Sequence, residues 1–256
     1  MHFNFINRLG IILILGFFYV TTPSRGDEIF LKDDFDAPPL SPVWITPNLS
    51  KNALRHITAP ARTGKGAVEI RLFSGAMVQT GRDGQLTERA ELREAPGVRL
   101  TMGMESWYAF SFFMPLDFPI VENRLVIAQW KQSFLESYKD RSPIVSLRYM
   151  GGKMRIDVVR DRGKRKLFNQ PADLRNRWVD MIFRIKPVTG KNGILQVWKD
   201  GVRIVDYRGP IGFKDDEEEI YFKFGLYRDH MKIPMRIIFD RFRRGNSFET
   251  VRFSTQ

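Results

Sequence analysis

Three short stretches carry side chains able to hold an anion and move a proton beside it: QLTERAELRE at 85–94, IAQWKQ at 127–132 and YFKFGLYR at 221–228. Side chains alternate across a strand. Arg89, Glu91 and Arg93 therefore share one face while Ala90 and Leu92 take the other, and Gln129 and Lys131 lie opposite Ala128 and Trp130. Tyr221, Lys223, Gly225 and Tyr227 likewise lie opposite Phe222, Phe224 and Leu226. An antiparallel sheet often keeps one polar face in water, but such a face has little need of glutamine, tyrosine and paired arginines. Their recurrence on three separated strands points to one assembled surface. Guanidinium and amide donors suit a carboxylate. A tyrosine near cations can give or take a proton, because positive charge stabilises its phenolate. Tyr227 has Lys223 on its own face and Arg228 beside it, and His230 follows three residues later as a further titratable group.

The elements that must position these residues read as strands. Beyond residue 27 the apolar runs are short, have period two and are separated by Gly, Pro, Asn and Asp. They include 66–73, 106–114, 124–132, 143–150, 153–161, 177–187, 193–207, 219–228 and 235–245, besides ERAELRE. Asp200-Gly201 marks a tight hairpin, and Gly151-Gly152 marks a second more weakly. Helical periodicity is confined to a turn around PADLRNRW, 171–178, and KDDEEE at 214–219 reads as a solvated loop before a strand. Ten or more strands without βα alternation predict an all-β sandwich of two sheets.

The chain of 256 residues suffices for one such domain, 27–256. Residues 1–26 read as a signal peptide: Arg8 precedes an apolar run from Leu9 to Val20, too short to span a bilayer, and small residues follow at Ser24 and Gly26. A secreted or periplasmic protein without stable membrane association after signal cleavage is expected. There is no cysteine, so disulfides and thiolate metal sites are excluded. The net charge is +12, and the leader accounts for two of the arginines and no acid. The remaining excess of base favours an anionic partner, and for an exported chain an acidic polysaccharide before nucleic acid.

RAELR, QWK and YFKFGLYR, followed by FDRFRRG, resemble the motifs of the heparin lyase I-like polysaccharide lyases, the group that includes glucuronan lyases. A looser likeness extends to jelly-roll alginate lyases. LKDDFD, RTGKGAVEIRL, SWYAFSFFMP, RWVDMIFRIK and VWKDGVRI fit the same pattern, so the resemblance spans nearly the whole chain beyond residue 27. It implies a concanavalin A-like β-jelly roll whose concave sheet forms a groove for an acidic polysaccharide, cleaved by β-elimination at a uronic acid. It implies Gln129 as the donor that neutralises the substrate carboxylate, Arg89 and Arg93 assisting, Glu91 orienting those arginines, and Tyr227 as acid, base or both. Tyr221, Lys223 and Arg228 complete the binding surface. Where the family carries histidine two positions after the glutamine, this chain has Lys131. That departure leaves Lys131 as a cation for the carboxylate or, if desolvated, a base, and keeps His230 as an alternative.

The same resemblance implies no cofactor for catalysis but a structural calcium held near the terminal strands through Asp33, Asp34 and Asp240. A monomer is expected. Two rival functions use the same surface: a non-catalytic polysaccharide-binding protein, and a glycoside hydrolase on the same fold. The hydrolase requires two closely placed carboxylates, and no Glu-x-Asp-x-x-Glu array occurs.

Overall fold

The computed structural model describes residues 26–47, 49–76, 79–80, 84–133, 141–161, 163–216 and 219–253. Residues 1–25 of the expected leader lie outside the described residues. Among those described, no helix is long and apolar enough to cross a membrane.

The strands are β1 (Ile29–Asp33), β2 (Trp44–Ile45), β3 (Leu54–Ile57), β4 (Ala67–Leu72), β5 (Gln79–Thr80), β6 (Leu86–Glu94), β7 (Leu100–Thr101), β8 (Ser106–Phe113) and β9 (Leu125–Gln132). They continue with β10 (Val145–Met150), β11 (Lys153–Arg160), β12 (Gly163–Pro171), β13 (Trp178–Lys186), β14 (Ile194–Lys199), β15 (Val202–Arg208), β16 (Glu219–Asp229) and β17 (Met235–Gly245), and one short helix, α1 (Phe248–Val251), follows. Every strand pair is antiparallel. One sheet runs β15-β14-β13-β8-β17-β4-β3 with β1 on β17; the other runs β12-β11-β10-β9-β16-β6-β2 with β5 on β6 and β7 on β16. This is the expected two-sheet jelly roll.

The apolar halves of the alternating strands meet between the sheets. Phe222 of β16 packs against Trp130 at 4.8 Å and Phe110 at 5.5 Å between ring centres, and Trp130 reaches Phe183 at 4.6 Å. These aromatic contacts fix β9 and β16 side by side, with their polar faces turned away from the core. A second apolar cluster, Trp107, Ala109, Ile182 and Val251 with Trp198 and Phe248, lies on the outer face of the first sheet under α1. Ser247 caps that helix, its hydroxyl accepting from the Thr250 amide.

Both hairpins form where the glycines mark them. Asp200 and Gly201 adopt φ of 49° and 80°, and Gly151 and Gly152 adopt 53° and 69°, the left-handed conformations that two-residue turns demand. The stretch 171–178 forms no helix, contrary to the periodicity: it leaves β12, makes an isolated bridge from Arg175 to Met114 and enters β13. Nor is the 214–219 stretch wholly solvated. Asp216 is buried and accepts from the Phe213 amide, Gln132 and Arg141.

Candidate active site

The register of the second sheet sets the polar residues in rows. Tyr227 stands between Arg89 on β6 and Val126 on β9, and the row continues to Arg148 on β10 and Arg155 on β11. A parallel row runs Arg93, Lys223, Gln129, Ser146, Asp157 and Lys166. Between them Glu91 sits opposite Gly225, and beyond the second row Tyr221 sits opposite Lys131. Arg89, Glu91, Arg93, Gln129, Lys131, Tyr221, Lys223 and Tyr227 thus share one face, as the alternation requires.

Glu91 is the hub of this surface. Its carboxylate accepts from Gln129 Nε2 at 2.5 Å and from Lys223 Nζ at 3.4 Å, with Glu91 and Gln129 each 3 % exposed. The expectation that Glu91 orients the arginines is corrected here: it fixes the amide and the lysine. The arginines instead lie on tyrosine rings, Arg89 4.6 Å from the centre of Tyr227 and Arg93 5.1 Å from that of Tyr221. Nε of both arginines is buried without a hydrogen-bond partner. Burial, first of all, and then Glu91 among the opposing and supporting charges leave the Tyr221 hydroxyl above its ordinary pKa. Burial also pulls the Lys223 amine down, against the attraction of Glu91.

The crossing from Glu91 to Gln129 passes over β16 at Gly225, where the β6 backbone approaches too closely for any side chain. The φ of Gly225 is 138°, and a Cβ there would stand 2.3 Å from the Ala90 carbonyl oxygen and 2.9 Å from the Glu91 Cα. On β9 a bulge at Ile127 and Ala128 turns both into the core and brings Val126 and Gln129 to the polar face together.

Two expected site residues lie elsewhere. Arg228 points to the opposite side of β16: it is fully buried, pairs with Glu88 at 2.7 Å and donates to the carbonyls of Ile233 and Met231. It cannot meet a substrate. His230 is held by the same carboxylate, Nδ1 lying 2.8 Å from Glu88 Oε1, and so sits behind the strand that carries Tyr227. Glu88 resists the cost of its burial because Gly75, His230 and Arg228 all bond to it, and its pKa stays below the usual range. Lys131 faces the polar surface, and its Nζ donates to the Arg141 carbonyl at 2.8 Å.

The three aspartates expected to hold calcium do not converge. Asp33 accepts from the Phe35 amide and Trp44 Nε1, Asp34 pairs with Arg243, and Asp240 accepts from the amides of Arg62, Thr63 and Arg241. Among the described residues no group of three acidic or histidine side chains is placed to hold a metal ion. These carboxylates fold the chain and do not fit a calcium ligand set.

Several residues of this face were not singled out from the sequence. Arg124 lies 4.8 Å from the Tyr227 ring centre and pairs with Asp229; Arg99 lies 5.6 Å from that of Tyr221. Ser146, Arg148, Arg155, Asp157 and Lys164 extend the surface across β10, β11 and β12. Period-two alternation in PIVSLRYM and KMRIDVVRD would have marked all but the last.

Together these side chains make a basic, tyrosine-bearing face on one sheet of a two-sheet jelly roll. Residues 37–243 match the family model described as polysaccharide lyase, and the chain belongs to that family. Its fold is similar to that of an endo-β-1,4-glucuronan lyase from the fungus Trichoderma reesei, with TM-score 0.70 and 17 % identity over 88 % of this chain and 98 % of that one. It is also similar to a family 7 alginate lyase, A1-II′, with TM-score 0.54 and 14 % identity over 78 % and 85 % of the two chains. A glycoside hydrolase family 131 catalytic domain from Coprinopsis cinerea shares the fold at TM-score 0.51 and 15 % identity, over 75 % of each chain. Comparison with curated proteins returned no match. The chain is a polysaccharide lyase.

Proposed function

We propose that this lyase is an exported protein that cleaves a uronate-containing polysaccharide by β-elimination, with Tyr227 handling the proton. The observation that carries the reading is the joined unit of Gln129, Glu91 and Lys223 beside a tyrosine flanked by two guanidinium groups. The proton on C5 of a uronate is weakly acidic because the neighbouring carboxylate already carries negative charge. Gln129, its amide aimed by Glu91, neutralises that carboxylate together with Arg89 and Arg93, and fixed donors of this kind are among the largest catalytic contributions. Tyr227 as phenolate takes the C5 proton. The electron pair left on C5 forms the C4–C5 double bond as the bond from C4 to O4 breaks, and the phenol then protonates the departing oxygen. Arg89 and Arg124 lie against the tyrosine ring, 4.6 and 4.8 Å from its centre. Neutralisation, base and acid are thus all supplied by side chains, and we assign no step to a cofactor.

Hydrolysis fits the same groove poorly. Glu91 and Asp157 lie on its floor four strand spacings apart, roughly 19 Å, and Asp229 lies four residues along β16 from the position opposite Glu91, roughly 13 Å. A hydrolase pair needs about 5 to 10 Å. Each of the three is also already paired with cations or an amide.

Incubation with glucuronan, alginate and a heparin-like glycan, followed by ultraviolet absorbance of the unsaturated uronate, tests the reading. The parent should raise the absorbance on at least one of them, and Tyr227→Phe should lower that rate at least a thousandfold. A Phe variant as fast as the parent would remove Tyr227 from the chemistry, and saturated products would remove elimination altogether.

A further inference from the structure

The groove does not end at the reacting residues. Beyond Val126 the row of Tyr227 continues into two adjacent arginines, Arg148 on β10 and Arg155 on β11, which are register partners. Both grip Asp157 through Nε, at 3.2 Å and 2.6 Å, and Arg148 Nε also donates to Ser146 Oγ at 3.0 Å. Among the described residues no protein partner takes the terminal nitrogens of either guanidinium. Lys164 on β12 joins them, its strand position opposite Val159, two residues from Asp157 on the same face. Three cations thus surround one carboxylate. Their mutual field is felt in Lys164, whose amine is brought down to about 8, first by desolvation and then by Arg148, with Arg155 and Arg124 acting the same way and Asp157 opposing. Arg148, nearly buried, is itself lowered by desolvation.

Partly buried positive charge in excess, with fork-shaped donors left open, is a site for a planar oxyanion. We propose that Arg148, Arg155 and Lys164 form a second anion subsite, which takes the carboxylate of another uronate of the same polysaccharide chain. Arg148 and Arg155 are two and three strand spacings from Tyr227, roughly 10 and 14 Å. The sugar being cleaved presents its own carboxylate to Gln129 and cannot reach that far, so the occupant is a sugar further along. Asp157 acts as a positioning residue, holding both guanidinium groups by one edge and leaving the other edge outward. The subsite makes the enzyme select polymers that carry a second anionic sugar on the β10–β12 side of the one held at Gln129. This rests on the uronate reading of the reaction centre.

Initial rates on uronate oligosaccharides of two to eight sugars, from the polymer that the parent cleaves, test it with Arg155→Gln, Lys164→Gln and Arg155→Lys. Both glutamine variants alter side chains outside the core, and their melting curves should match the parent. The parent's kcat/KM should rise tenfold or more at the length that first spans both subsites. In each glutamine variant that rise should shrink about tenfold through KM, and Arg155→Lys should restore part of it. An undiminished rise in both glutamine variants would overturn the subsite while leaving the reaction centre standing. A parent that neither binds nor cleaves any polyuronate would overturn both.

Discussion

Tyr227 and Arg228 are neighbours in sequence with opposite surroundings. The tyrosine faces the groove between Arg89 and Arg124, whereas the arginine is enclosed with Glu88 at 0 % exposure for both side chains. A buried pair tolerates the loss of both partners better than the loss of one, since a lone charge left inside costs about 3–5 kcal/mol. Arg228→Met should therefore lower unfolding stability by roughly that amount, read from urea denaturation, while KM of the folded protein keeps its value. A rise in KM without loss of stability would return Arg228 to the substrate. The alternation in YFKFGLYR already separated the two residues by face; adjacency to Tyr227 is not evidence of a shared surface.

At the scale of elements, Gly225 and the β9 bulge decide whether the site assembles. Gly225→Ala would push a methyl group into the Ala90 carbonyl and impose a backbone angle that alanine rarely adopts. The expected cost is about 3 kcal/mol, accompanied by loss of most activity because β6 and β16 must part where Glu91 crosses to Gln129. Thermal unfolding and the ultraviolet assay measure the two effects, and a variant with parental values for both would show that the crossing does not depend on this close approach. The sequence made β4, β6, β8, β9, β10, β11, β13, β14, β15, β16 and β17 readable because each buries one face on the core. It did not reveal β12, whose GKRKLFNQP is largely exposed, pairs only with β11 and brings only Leu167 and Phe168 against the core. It misread 171–178 for a similar reason: Leu174 is buried from a connecting segment, and isolated burial in a loop imitates one turn of helix. The groove as far as Gln129 was legible from residue types. Its extension over β10 and β11 was written in the same alternation, but a bulge on β9 that shifts which residues face outward leaves no local mark.

For the molecule as a whole, the core itself carries a titrating group. Glu94 at the end of β6 accepts from the Phe222 amide and pairs with Arg244 of the other sheet at 3.3 Å. Burial raises its pKa to about 7 despite Arg244 and the Phe222 amide. The folded protein therefore holds this proton more tightly than the unfolded chain, whose carboxyl titrates near its model value of 4.5. The resulting stabilisation is complete below the unfolded value and fades as pH rises through 7. Glu94→Gln should remove that slope, an effect on the order of 3 kcal/mol between pH 4.5 and 8, measured by urea unfolding across the range. Parallel pH curves for parent and variant would place the titration elsewhere.

The strands bearing the two halves of the groove have different origins in the chain. Glu91, Gln129 and Tyr227 come from three distant segments on β6, β9 and β16, whereas Arg148, Arg155 and Lys164 come from one unbroken meander, β10 to β12, at the margin of its sheet. On the proposed roles, chemistry is dispersed along the gene and recognition is contiguous. A single graft of that meander from one relative to another could redirect which glycan is gripped without touching the residues that cut it.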